Sequence, residues 1–298
     1  MKISIVVPSF NQADYLEECL LSILSQNVKL ELIVMDGGST DHSTEIIEKY
    51  QDKIAYWQSK PDGGQAMAIR EGFRICSGDI LYWLNSDDRC TTDSLVHVLK
   101  FFEDNPRIEW AFGNSHKINQ SGNLISRRFV PKTKYSELLQ TDLFLPQEAT
   151  FFRKDFYFKV GEINPNYHYA LDYELWLRMA KTSRPGKIKH FLGEFRVQAL
   201  QKSQDVNAYM NEVFKARIDQ GVGADFKRFS FFWRLKRKIS MFTLRFLDSP
   251  LRFMLIERPR ECLQVFLGTR LPGQSRMAAG INLLIYILPF GYLLVKQF

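Results

Sequence analysis

The chain is poor in the residues that build covalent or metal-nucleated scaffolds. Its 298 residues include only four cysteines (Cys19, Cys76, Cys90, Cys262) and five histidines. None of the cysteines falls in a CxxC spacing, which excludes a zinc ribbon or a disulfide framework and points to a reducing compartment. Glycine-rich nucleotide loops are also missing. The first apolar run ends in Pro8-Ser9-Phe10-Asn11-Gln12 rather than GxGxxG, and no GxxxxGK[ST] occurs, so a P-loop is excluded. Asp36 alone is a weak stand-in for the ribose-binding acid of a dehydrogenase. There is no internal repeat and no low-complexity tract. The opening Met1–Pro8 is too short and too strand-like for a signal peptide. With 45% hydrophobic and 24% charged residues, the composition is that of a globular protein, long enough for one large α/β domain and an appendage.

What the chain does have is an apolar run that stops on paired acids, Leu81-Tyr82-Trp83-Leu84-Asn85-Ser86-Asp87-Asp88. Such a run reads as a buried strand, and its end puts both carboxylates at the mouth of a sheet. Ionised acids this close need a cation, and oxygen ligands suit Mg²⁺ or Mn²⁺ completed by water and substrate phosphates. The alternative is a solvated turn with an Asp helix cap.

Periodicity predicts alternating strands and helices through the first hundred residues. Strands are expected at 2–7, 30–35, 54–58 and 80–84, with helices at 14–26, 43–50 (Thr40 or Asp41 as N-cap), 65–75 and 92–103. Four βα units imply a mainly parallel, Rossmann-like sheet with helices on both faces and ligands beyond the strands' carboxyl ends. After that come a short strand at 110–114, a hairpin of 115–118 with 124–130, strands at 150–153 and 191–197, and a helix at 172–182. The first four strand ends carry Ser9 and Asn11, then Asp36-Gly37-Gly38, then Asp62-Gly63-Gly64-Gln65, then Asp87-Asp88. Three acid-bearing ends in register describe a polar pocket along one sheet edge, and the paired glycines allow close backbone approach to a ligand.

Ile5-Val6-Val7-Pro8-Ser9-Phe10-Asn11, Val34-Met35-Asp36-Gly37-Gly38-Ser39-Thr40-Asp41, Asp62-Gly63-Gly64 and Asn85-Ser86-Asp87-Asp88 together strongly resemble glycosyltransferase family 2 over roughly residues 1–205. The resemblance implies an inverting enzyme of the GT-A fold that uses a nucleotide-diphospho-sugar. By position it implies that Pro8, Ser9 and Asn11 border the nucleoside, Asp36 bonds the base (typically uracil), and Asp62 lies near the ribose. Gly63, Gly64 and Gln65 belong to the same donor seat. Asp88 is the expected metal contact and Asp87 the ribose or sugar contact, although relatives usually carry a further acid where this chain has Asn85 or Ser86.

On the acceptor side, Asp172-Tyr173-Glu174-Leu175-Trp176 resembles the family's base-bearing helix start, with Leu171 in place of the usual leading Glu. Asp172 is therefore the expected base; a plain helix N-cap is the competing reading. Residues in a helix turn by ~100° each, so Glu174 faces elsewhere, spaced to pair with Arg178 at the surface. Gln147, Arg196 and Gln198 are expected contacts to acceptor or phosphate, Gln198 standing where relatives often carry His. No QxxRW-like motif marks a processive synthase.

The net charge of +7 is uneven. Twelve Lys/Arg against three Asp/Glu lie between Lys227 and Arg276, leaving Met1–Phe226 slightly acidic. Residues 229–247 interleave rings and basic groups as an interfacial helix does, and 277–295 carry no charge, the minimum length for a span. The expectation is thus a catalytic domain at 1–226 and a helical, membrane-associated appendage at 227–298. It would sit at the cytoplasmic face of a membrane, bind an anionic lipid surface but no nucleic acid, and act on a glycan or lipid-linked acceptor in cell-envelope glycan assembly. A non-catalytic nucleotide-sugar-binding or scaffold protein is the alternative. A nucleotidyltransferase would need a Gly-rich turn and a basic residue after the first strand, and both are absent.

Overall fold

The computed structural model describes residues 1–140, 144–198, 201–202 and 205–221. The expected appendage at 227–298 lies outside them.

The first half follows the expected rhythm: β1 (Ile3–Ser9), α1 (Ala13–Leu24), β2 (Leu30–Asp36), α2 (Ser43–Lys49), β3 (Tyr56–Ser59), α3 (Gln65–Ile75), β4 (Ile80–Trp83), β5 (Arg89–Cys90) and α4 (Ser94–Asp104). There follow β6 (Trp110–Ile118), β7 (Leu124–Arg128), α5 (Tyr135–Gln140), β8 (Thr150–Arg153), α6 (Lys154–Lys159), α7 (Leu171–Thr182), β9 (Gly186–Arg196) and α8 (Val206–Asp219). The expected short strand and first hairpin arm are one continuous strand, β6, with β7 as its return arm. β9 begins five residues earlier than periodicity indicated. Asp41 serves the start of α2 from outside the helix. Its Oδ1 accepts from the Ser43 N–H at 3.0 Å while Oδ2 accepts from the Ala13 N–H at 3.0 Å, so one carboxylate ties the starts of α1 and α2 together.

The strands form one sheet in the order β3-β2-β1-β4-β8-β6-β9-β5, with β7 beside β6. Pairings among β1–β4 are all parallel. β8 then enters antiparallel to β4 and to β6, and β6 runs parallel to β9. The sheet is therefore mixed rather than mainly parallel. The βα rhythm ends at β4, and the later strands arrive by long connections that impose no common direction.

Each face carries its own core, which is why β1 is buried along its whole length. Leu16, Leu20, Ile47, Val98 and Phe102 cover one face, against Ile5, Val7 and Tyr82. Ile69, Phe73, Leu175, Trp176 and Met179 cover the other, against Val6, Trp83 and Phe152. Gly72 lets α3 lie close on β1, since a Cβ there would stand 2.6 Å from Val6 Cγ1. Trp176 stacks between Trp83 (5.4 Å, 22°) and Trp110 (5.8 Å, 18°), which pins α7 to the sheet.

Candidate active site

The sheet opens between the ends of β1 and β4. Their pairing stops at Val6–Trp83, so Pro8, which has no N–H to give, sits where β1 has already parted from β4. This is a topological switch point, with β2 on one side of β1 and β4 on the other, where ligands of such sheets bind.

The β1 and β2 ends are cross-bonded. Asn11, with φ of 50°, accepts from the Thr40 N–H through Oδ1 (2.9 Å), and its own N–H donates to Ser39 Oγ (2.8 Å). Asp36 is fully buried. Its two oxygens accept from the N–H groups of Gly38 and Ser39 and from the hydroxyls of Ser39 and Ser59. Three of these bonds fall on Oδ2 and one on Oδ1, so the carboxylate organises the loop that borders the cleft and keeps acceptor capacity on Oδ1 alone. Ser9 Oγ is buried without a partner among the described residues. Asp62 is half-buried and takes the Gly64 N–H on Oδ1 at 2.7 Å. Gly37 lies between two side chains at the strand ends: a Cβ there would stand 3.4 Å from Asp62 Oδ2 and 3.4 Å from the ring of Phe10, which is 59% exposed. Phe10 was not picked out from the sequence; a bulky ring left in solvent at a strand end is the signal that finds it.

The β4 end gathers the other expected residues into one network. Gln65 donates to Asn85 Oδ1 (2.8 Å), Asn85 donates to Gln147 Oε1 (3.0 Å), and Gln147 donates to the Trp83 carbonyl (2.6 Å). Gln147 is thus spent on holding the strand end. Gln198 is almost fully buried and donates to Asp87 Oδ2 (2.7 Å) and Gln12 Oε1 (3.3 Å), so it orients an acid. Arg196 departs furthest from expectation. It is fully buried, and its guanidinium donates to the Asp87 and Gln120 carbonyls and to Glu18 Oε2 (2.7, 2.7 and 2.6 Å), so it braces the site and cannot reach a phosphate.

Asp88 is buried, with Oδ1 accepting from the Arg196 N–H at 2.9 Å. Asp87 is half-buried and commits only Oδ2 to a side chain. Burial pushes both carboxyls above the ordinary range, and repulsion from Asp87 and Glu148 raises Asp88 further. Arg196, Gln198 and Asn85 offset this only in part, and a pair of hard oxygen donors of this kind fits Mg²⁺ or Mn²⁺. Among the described residues no three or more His, Cys, Asp or Glu converge on one point. A cation held there would need further oxygen ligands besides these two carboxylates.

Glu148 was not singled out from the sequence. It is buried, its Oε1 has no hydrogen-bond partner among the described residues, and it fills the space left by Gly193, where a Cβ would meet its carbonyl oxygen at 1.9 Å. Its charge bears on both Asp88 and Asp172.

Asp172 is the second residue of α7, after the N-cap Ala170 and Leu171, so it is not the helix cap. It is half-buried. Burial pushes its carboxyl up to about 6 against the N–H groups of Tyr173 and Asp172 itself, with Glu148 adding to the rise and Arg128 opposing it. Glu174 pairs in bidentate fashion with Arg178 (2.6 and 2.7 Å), as the spacing indicated, but the pair is not a surface one. Glu174 is buried and Arg178 also donates to the Val160 and Glu162 carbonyls.

A mixed sheet whose parallel half ends in an acid pair, covered on one face by a helix that carries Asp172 in its first turn, is the layout of a GT-A glycosyltransferase. The sequence profile of Glycosyl transferase family 2 matches residues 4–161, and the chain belongs to that family. It is 29% identical over 216 residues to an uncharacterized glycosyltransferase of Mycobacterium tuberculosis, covering 71% of this chain and 81% of that protein. It is 28% identical over 191 residues to the hyaluronan synthase of Pasteurella multocida, covering 63% of this chain but 19% of that protein. Among solved structures, S. aureus TarS 1-349 in complex with UDP-GlcNAc shares the fold at a TM-score of 0.54 and 16% identity, over 69% of this chain and 61% of that one. A mannosyltransferase from Pyrobaculum calidifontis in complex with GDP-Man and Mn²⁺ shares it at 0.58 and 16%, over 94% and 79%.

Proposed function

We propose that this glycosyltransferase moves a sugar, with inversion, from a nucleotide-diphosphate donor to a hydroxyl of a glycan or lipid-linked acceptor. The observation that carries the reading is the opening between β1 and β4, edged by Asp62 and Phe10 at one end and by the Asp87–Asp88 pair at the other. The nucleoside occupies the Phe10–Gly37–Asp62 end, with Ser9 and Asn11 at its border. A divalent cation on Asp87 and Asp88 neutralises charge on the diphosphate. Asp87 is the less buried of the two and offers the more accessible oxygen beside Asp88. Asp172, approaching from α7, takes the proton of the acceptor hydroxyl on the face of the sugar opposite the leaving group. TarS binds UDP-GlcNAc and the Pyrobaculum enzyme binds GDP-Man; this supports the donor class and leaves uridine and guanosine donors both to be tried.

The test is a panel of UDP-, GDP- and dTDP-sugars incubated with the full-length protein and Mn²⁺, reading release of nucleoside diphosphate. Release from one donor, abolished by EDTA, is expected. Binding of a donor without any release would instead mark a non-catalytic sugar-nucleotide protein. Asp87→Ala is expected to lower metal-dependent release at least 100-fold, in line with loss of a site's principal charge stabilisation.

A further inference from the structure

The donor's diphosphate must lie between the nucleoside end of the cleft and the acid pair, and the arginine that the motif offers for it, Arg196, is buried and fully engaged with protein oxygens. A different cation stands in that interval. Lys202, on the stretch following β9, is exposed, and its Nζ donates to Gln65 Oε1 at 3.3 Å. The same Gln65 amide donates to Asn85 Oδ1 at 2.8 Å, and Asn85 donates to Asp88 Oδ2 at 3.4 Å. Lys202 is thus two side chains away from the acid pair; burial lowers its pKa, and the charges of Glu212 and then Asp62 oppose that fall. In a cleft edged by Asp62, Asp87 and Asp88, a lysine hydrogen-bonded to a neutral amide gains from an anion that offsets the cost of its partial burial.

We propose that Lys202 binds the donor's diphosphate directly, neutralising the phosphate oxygens turned away from the acid pair and stabilising them as the glycosidic bond breaks. The assignment rests on the nucleotide-sugar reading above. Gln65 is the residue that aims the amine, because its amide bonds Lys202 on one side and Asn85 on the other. Lysine acts here as a point charge on a flexible stem, suited to following an oxygen whose charge grows during transfer.

Isothermal titration of the full-length protein with UDP and uridine, and with GDP and guanosine, in Mn²⁺ and again in EDTA, tests the assignment. Lys202→Met is expected to weaken binding of the preferred diphosphate about 10- to 100-fold, the worth of one charge-assisted contact. It should leave the matching nucleoside within twofold, and Lys202→Arg should restore most of the loss. Unchanged diphosphate affinity in Lys202→Met overturns the assignment, as does equal weakening of diphosphate and nucleoside, which marks a structural residue. If the wild-type protein binds neither diphosphate, the donor reading itself fails and takes this one with it. Wild-type binding that the variant leaves intact removes Lys202 alone.

Discussion

Asp172 shows what a single side chain costs and contributes. Burial is the main cause that lifts its carboxyl to about 6 from the ordinary 3.8. A base must be unprotonated to act, so transfer is expected to fall about tenfold per pH unit below pH 6 and to level off above pH 7. The same shift acts on stability with a definite sign. A carboxyl whose folded pKa is raised favours the folded state most below pH 3.8, and that contribution is lost as pH rises through 6. Asp172→Asn should therefore melt higher than wild type at pH 7.5, by on the order of 2 kcal/mol, and match it near pH 4. Thermal melts at the two pH values, beside a donor-binding titration and a transfer assay, check this. Retained transfer in Asp172→Asn would remove the residue from the base role. The residue was legible in the sequence because it opens a helical pattern in a recognisable motif. Glu148 was not: a single acid in a short loop has no period, and its importance comes from Gly193, 45 positions away, leaving room for it.

Among the elements, α8 is the least expected and bears most directly on the site. Glu212, halfway along it, accepts from the N–H groups of His168, Tyr169 and Ala170 at 2.8 to 3.1 Å, the backbone immediately before α7. One carboxylate of α8 thus satisfies donors that the start of α7 leaves open and fixes where Asp172 begins its helix. Arg217 of α8 adds a bond from Nε to the Tyr173 hydroxyl at 2.8 Å. Glu212→Ala should lower kcat roughly 10- to 100-fold by loosening the placement of the base. Nucleoside affinity should stay within twofold, because that end of the cleft is built on other elements, whereas Glu212 also bears on the charge of Lys202. Equal loss of both in paired titration and kinetic measurements would reduce Glu212 to a fold-wide support. β1, β4 and most of β2 could be read from apolar runs that are buried on both faces, while β3, at the sheet edge, is partly exposed. α8 and the direction of β8 could not be read, because they answer to partners far along the chain: β8 to β4 and β6, α8 to the start of α7.

At the scale of the whole molecule, charge separates two regions that the motifs do not. Residues 1–226 carry a small net negative charge and residues 227–298 a strong positive one, thirteen Lys/Arg against three Asp/Glu. No described helix is long and apolar enough to cross a membrane, and the region in question lies beyond the described residues. Its composition still makes a physical demand. Each basic group near an anionic bilayer contributes about 1 kcal/mol, and the phenylalanines and tryptophan among them add apolar contact that salt does not screen. A purely electrostatic tail would detach fully above about 0.5 M NaCl, where the screening length falls to a few ångströms. A tail that also inserts its rings would detach only in part. The full-length protein should therefore sediment with vesicles containing phosphatidylserine, and a fraction of it should remain bound in high salt. A chain ending at Phe226 should stay in the supernatant while still binding nucleoside diphosphate. If the truncated chain sediments equally well, the membrane contact belongs to the catalytic domain, and the appendage needs another partner.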